Sequence, residues 1–125
     1  MVNDIFLYIG AFIPIFWGIA HIFPTSSVVK DFGDISDDNK NILKMEWLNE
    51  SLTLVFIGIL IISVTFLGDP SSETALIIYW LSALMLIAMA GLSLMTGFKV
   101  SFLPFKLCPL IFGVAAVIIL LGTLL

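Results

Sequence analysis

Hydrophobic residues in this chain fall into four long blocks, and the polar ones collect in the gaps between them. No Asp, Glu, Lys or Arg stands between Ile5 and Val29, and Pro24 is a natural stop. Ser51–Gly68 lies between Glu50 and Asp69, Thr74–Phe98 between Glu73 and Lys99, and Leu107–Leu125 follows Lys106. A helix needs ~20 mostly apolar residues to cross a bilayer. The pattern therefore predicts an all-α polytopic membrane protein with spans near 5–23, 46–67, 74–97 and 107–125. Connections this short make consecutive helices antiparallel. The expectation is a single four-helix transmembrane domain over residues 1–125.

The gaps carry their own signals. In Asp69-Pro70-Ser71-Ser72-Glu73, Asp69 is the expected cap of the third span, with Pro70 at its first position. Gly97 is its expected end. Residues 98–106, with Pro104 among aromatic residues and lysines, read as an interfacial turn, and Pro109 as a bend or start of the last helix. Between the first two spans, Thr25 is the expected cap of a short amphipathic interfacial helix, Ser26–Phe32, ended by Gly33. Ser36 caps the next helix, with Asp37 and Asp38 in its positively polarised first turn. That helix can run unbroken from Asp37 to Leu67. Its 31 residues would measure roughly 46 Å, against ~30 Å of hydrocarbon, so it should protrude.

Composition closes off the alternatives. The chain of 125 residues is 61% hydrophobic and 11% charged, with a mean hydropathy of +1.20. Soluble domains carry about 25% charge, so neither a soluble fold nor disorder fits. A net charge of −4 with five lysines and no arginine excludes a nucleic-acid partner. The single cysteine, Cys108, excludes an intrachain disulfide and a thiol metal cluster. The start, Met1-Val2-Asn3-Asp4, lacks the basic region of a cleavable signal, so the first span is expected to be retained. Absent arginine and abundant isoleucine and lysine point to an AT-rich prokaryotic genome, hence to a cytoplasmic membrane.

All five lysines (Lys30, Lys40, Lys44, Lys99 and Lys106) fall on the side holding residues 24–49 and 98–106. The positive-inside rule makes that side cytoplasmic and leaves both termini outside. Tyr8, Tyr79 and Trp80 then sit in an outer aromatic belt, and Trp47 in the inner one.

Candidate chemistry concentrates at the cytoplasmic end. Glu46, Asn49, Glu50 and Thr53 share one helix face by spacing. So do Ser82, Met85, Met89, Ser93 and Thr96 on the third span, and Gly10, Pro14, Gly18 and His21 on the first. Membrane helices turn small and polar residues toward one another. Packing these stripes inward predicts a proton-handling or ligand-binding cluster of His21, Glu46, Asn49, Glu50, Ser93 and Thr96, with Phe16, Trp17, Met85 and Met89 as its apolar lining. Ionisable groups in a span are costly and default to function. One histidine cannot provide bis-histidine haem ligation, no paired Glu-x-x-His motif supports a di-iron site, and no phosphate loop is present. Met85, Met89 and Met95 read as packing rather than copper ligands. No cofactor and no metal is expected; His21, Glu46 and Glu50 are the set that would hold an ion if there were one.

The order Gly18…His21…Phe23-Pro24, then Phe32-Gly33, then Glu46-Trp47-Leu48-Asn49-Glu50, resembles small bacterial and archaeal four-helix membrane proteins of the broad DoxX-like kind. The resemblance covers residues 8–67 and implies a four-helix bundle; it carries no activity or functional residue with it.

Three functions suit these residues. The first is binding of a lipophilic or amphipathic ligand, a membrane lipid above all, with lipid modification as its enzymatic form. The second is a non-catalytic subunit whose polar cluster locks helices together beside a membrane partner or a second copy. The third is a small proton-coupled transporter; the one-sided lysines argue against its dual-topology version.

Overall fold

A computed structural model describes residues 2–125. Its helices are α1 (Asp4–Ile22), α2 (Thr25–Asp31), α3 (Asp37–Leu67), α4 (Glu73–Met95) and α5 (Leu103–Leu124), with a 3-10 turn at Gly97–Lys99. Four of them are long and apolar enough to cross a membrane. The fold is therefore the expected all-α four-helix bundle of a multi-pass membrane protein, with α2 as the short segment between the first two spans.

Most ends obey the capping chemistry, with corrections. Asn3 starts α1, its side-chain oxygen accepting from the backbone N–H of Ile5 and Phe6. Ser36 caps α3 by accepting from Asn39 N–H at 3.2 Å, and the helix runs unbroken for 31 residues. Asp69 does not cap α4. Its carboxylate closes the turn by accepting from Ser71 N–H, and Ser72 caps instead through Ala75 N–H. Thr25 does not cap α2 either; its hydroxyl donates back to the Ile22 carbonyl at 2.7 Å. Gly33 ends that segment with φ +77°, a conformation costly for other residues. The last helix begins at Leu103, four residues before the expected start. Pro104 lies in its first turn, where its missing N–H costs nothing. Lys106 fits inside because its ammonium donates to the Phe98 carbonyl at 2.8 Å and lies over the Phe98 ring.

Packing is uneven around the bundle. α1 lies against both α3 and α5, and α5 lies against α4. α3 and α4 are consecutive in the chain yet meet only sparingly. They are tied near their connecting turn: Thr65 gives its hydroxyl proton to the Ile61 carbonyl, so Tyr79 O–H donates to Thr65 Oγ1 at 2.9 Å. Tyr79 is fully buried there. It belongs to the core, not to an aromatic belt.

Small residues set the α1–α3 spacing. Gly18 faces the Ser51 backbone so closely that a Cβ there would lie 2.8 Å from the Ser51 carbonyl oxygen. Gly58 meets the Ala11 carbonyl in the same way. The approach lets Ser51 donate to the Gly18 carbonyl at 2.6 Å, an interhelical hydrogen bond inside the bundle. The predicted stripe Gly10, Pro14, Gly18 and His21 is buried along its whole length.

Candidate functional site

The tie between α3 and α4 lies at one end; at the other, lysine-bearing end the space between them is a cavity of about 630 Å³. α4 contributes Met85, Met89, Leu92 and Ser93, and its C-cap Thr96 follows, a depth of roughly 16 Å at 1.5 Å per residue. α3 contributes Glu46, Trp47, Asn49, Glu50 and Thr53; α1 contributes Trp17, Ala20 and His21; α5 and the segment before it add Phe102, Pro104, Phe105 and Cys108.

The inner wall is built around His21. Its side chain is 6% exposed. Nδ1 faces the Trp17 carbonyl at 2.9 Å. A carbonyl oxygen only accepts, so Nδ1 carries the hydrogen. The other nitrogen, Nε2, points its lone pair at Glu50, 3.7 Å from Oε1. The Glu50 side chain is 32% exposed and faces the opening. This pair becomes ionic when the ring takes a second proton, on Nε2, opposite an ionised Glu50.

Two aromatic rings hold the imidazole and a third supports one of them. Trp47 stacks on it at 4.9 Å between centroids, and its indole N–H donates to the His21 carbonyl. Trp17 meets it edge-on at 5.6 Å. Phe105 backs Trp47 at 5.3 Å. The Trp17 indole N–H in turn donates to Cys108 Sγ at 3.4 Å, and the thiol donates to the Pro104 carbonyl. The two indole N–H groups, His21 Nδ1 and the Cys108 thiol thus each have a partner, which holds their rotamers, while His21 Nε2 and the Glu50 carboxylate make no hydrogen bond among the described residues.

Of the six polar residues expected to cluster, His21 and Glu50 come together. Glu46, Asn49, Ser93 and Thr96 line the same cavity without bonding to that pair. Glu46, Asn49 and Thr96 are exposed at its rim, and the Thr96 hydroxyl is turned back to the Leu92 carbonyl. Trp17, Met85 and Met89 line the cavity. Phe16 does not: it is 68% exposed on the outer face, because it is one position, or about 100°, away from Trp17.

Trp47 and Cys108 are among the wall residues to which the sequence alone assigns no site role. Trp47 looked like a belt residue, and Cys108 a lone cysteine near a proline. Cys108 is buried, and its sulfur, a His21 ring nitrogen and a Glu50 oxygen all lie within 4.8 Å of one another. Glu46, the third member of the expected ion-holding set, stands outside this group. The signal for Cys108 was depth: it is one turn into α5 from the end at which His21 leaves α1.

Comparison with protein-family profiles, curated proteins and solved structures finds no match. The functional reading rests on the site itself.

Proposed function

We propose that this protein binds an amphipathic membrane ligand between α3 and α4, with the polar head at His21 and Glu50 and the apolar part along Trp17, Met85 and Met89. The observation that carries the reading is the cavity: about 630 Å³, within the ~300–1,000 Å³ of small-molecule sites, with apolar walls and a few convergent polar groups. A bundle that needed no ligand could close α3 onto α4; the short turn and the Thr65–Tyr79 bond already hold them together at one end. The five lysines at the cavity end make that end cytoplasmic in this reading, with both termini outside a prokaryotic cytoplasmic membrane. Glu50 and the His21 Nε2 also suit proton transfer to a bound head group, which is the enzymatic form of the proposal.

The test is native mass spectrometry of chelator-treated protein released from lipid, followed by extraction of whatever remains bound. Wild type should retain an amphipathic molecule, and Glu50→Gln should lose at least ~90% of it while staying folded. A second reading, a purely structural lock, is favoured by the Trp47 and Ser51 bonds to α1 carbonyls. It gives the opposite pattern: no retained ligand, mild Glu50→Gln, and loss of stability in Glu50→Ala from the missing polar partner.

A further inference from the structure

We propose that His21, Glu50 and Cys108 form a binding site for one divalent transition-metal ion of the zinc class, with its fourth coordination position open to the cavity. The three residues come from α1, α3 and α5, and their donor atoms lie within 4.8 Å of one another. Tetrahedral zinc holds nitrogen and oxygen at ~2.0–2.2 Å and sulfur at ~2.3 Å, which spaces donors roughly 3.3–3.7 Å apart. The His21–Glu50 separation of 3.7 Å is already in that range. The separations to the Cys108 sulfur, at most 4.8 Å, need to close by no more than about 1 Å, through rotation of the Cys108 side chain about its one side-chain torsion and of the less buried Glu50 about its three.

The surroundings are those a metal ligand needs. A ligating histidine usually donates its other nitrogen to a fixed acceptor, which sets the tautomer. The Nδ1–H of His21 does this with the Trp17 carbonyl, leaving Nε2 as the ligand atom. Trp17 also donates its indole N–H to the Cys108 sulfur, a bond that a metal-bound thiolate keeps and strengthens.

Charge argues in the same direction. A thiolate, a carboxylate, a neutral imidazole and a divalent ion sum to zero. Such a site avoids the cost of net charge between membrane helices. Among the described residues no lysine lines the cavity to compete for the acids. On binding, the thiol proton now directed at the Pro104 carbonyl leaves to solvent through the cavity. Three protein donors and one open position are the pattern of reactive rather than purely structural zinc. If the cavity holds an amphipathic ligand as proposed above, an oxygen in its head group would fill that position; the metal site itself does not depend on this.

The experiment uses full-length protein without a histidine tag, stripped of lipid and of metal, and titrated with Co²⁺ alone. One ion per chain should bind, with a thiolate-to-cobalt charge-transfer band. Cys108→Ser should abolish the band, and His21→Ala and Glu50→Gln should each weaken binding at least tenfold, since loss even of outer-shell partners costs roughly 10–100-fold. Asp38→Asn, exposed in the first turn of α3 and outside the cavity lining, should bind like wild type. Because Cys108 is the sole cysteine, wild type offers a second readout that needs no variant: Zn²⁺ should slow its reaction with a small thiol reagent at least tenfold, and a chelator should reverse this. Cobalt binding without a thiolate band, no stoichiometric binding, or a thiol reaction indifferent to Zn²⁺ would overturn the site. Should Cys108 prove unreactive throughout, the cobalt band alone decides. Lipid retention is measured in chelator and metal binding without lipid, so either proposal can fail alone.

Discussion

Replacing Gly18 by alanine tests how the site is held. The added Cβ would lie 2.8 Å from the Ser51 carbonyl oxygen and 3.0 Å from both Leu54 Cβ and Val55 Cγ2. Ordinary contact begins at 3.4 Å, so α1 and α3 must part by about 0.6 Å. The nearest obstacle is backbone, so no side-chain rotation can relieve it. Overpacking of this kind costs typically 1–3 kcal/mol. The Ser51–Gly18 hydrogen bond, at 2.6 Å, would stretch as well; interhelical bonds in membranes contribute about 0.6 kcal/mol on average and up to about 1.7. Better helix propensity returns at most ~1 kcal/mol. The net expectation is a loss of about 1–3 kcal/mol, read by equilibrium unfolding in mixed detergent. Gly91→Ala and Gly113→Ala are the controls, since a Cβ at either position has nothing within 4 Å. They should be neutral or stabilising by up to ~1 kcal/mol. His21 is one turn beyond Gly18, so Gly18→Ala should also reduce ligand retention. A Gly18→Ala protein as stable as Gly113→Ala would refute the close-approach argument.

Two further outcomes are expected. Tyr79→Phe and Thr65→Val should each destabilise the bundle, and their double-mutant cycle should show a coupling of about 0.6–1.7 kcal/mol; zero coupling would mean that the 2.9 Å contact contributes nothing. In a Cys108→Ser background, a cysteine placed at Ser71 should react with an impermeant reagent in intact cells, and one at Asp37 only after permeabilisation. The reverse pattern would invert the orientation drawn from the lysines.

The spans were legible because charge marks several of their limits: Asp69 stands two residues past the end of α3, Glu73 opens α4, and Lys99 closes the turn that follows it. The start of α3 was legible because Ser36 followed by two aspartates is a helix N-terminus in any solvent. The start of α5 is not legible from charge, because Lys106 looks like a boundary while its long side chain turns the ammonium to a carbonyl and stays in the helix. Asp69 and Ser72 are both good caps; the turn geometry, which sequence does not display, chose Ser72. The shared depth of His21, Glu46 and Glu50 was readable, since α1 leaves and α3 enters at the same end; which of the two glutamates meets His21 was not. Nor was rotation about the helix axis. It moved Phe16 to the outer face, Tyr79 into the core and Trp47 against His21. Cys108 was hidden for a further reason: α5 packs against α1 across the bundle, a contact that no connection in the chain imposes.

The gap between α3 and α4 also changes what an affinity would mean for this protein. Met85 and Leu92 border the cavity and are more than two-fifths exposed, so in the bilayer placement proposed above the gap would open to the acyl chains as well as to the interface. A hydrophobic molecule dissolved in the bilayer would reach it by sideways diffusion, without first entering water. Its occupancy would then follow moles of ligand per mole of lipid rather than moles per litre. Diluting the sample with buffer at a fixed lipid-to-protein ratio would leave the site filled, whereas adding empty vesicles would drain it.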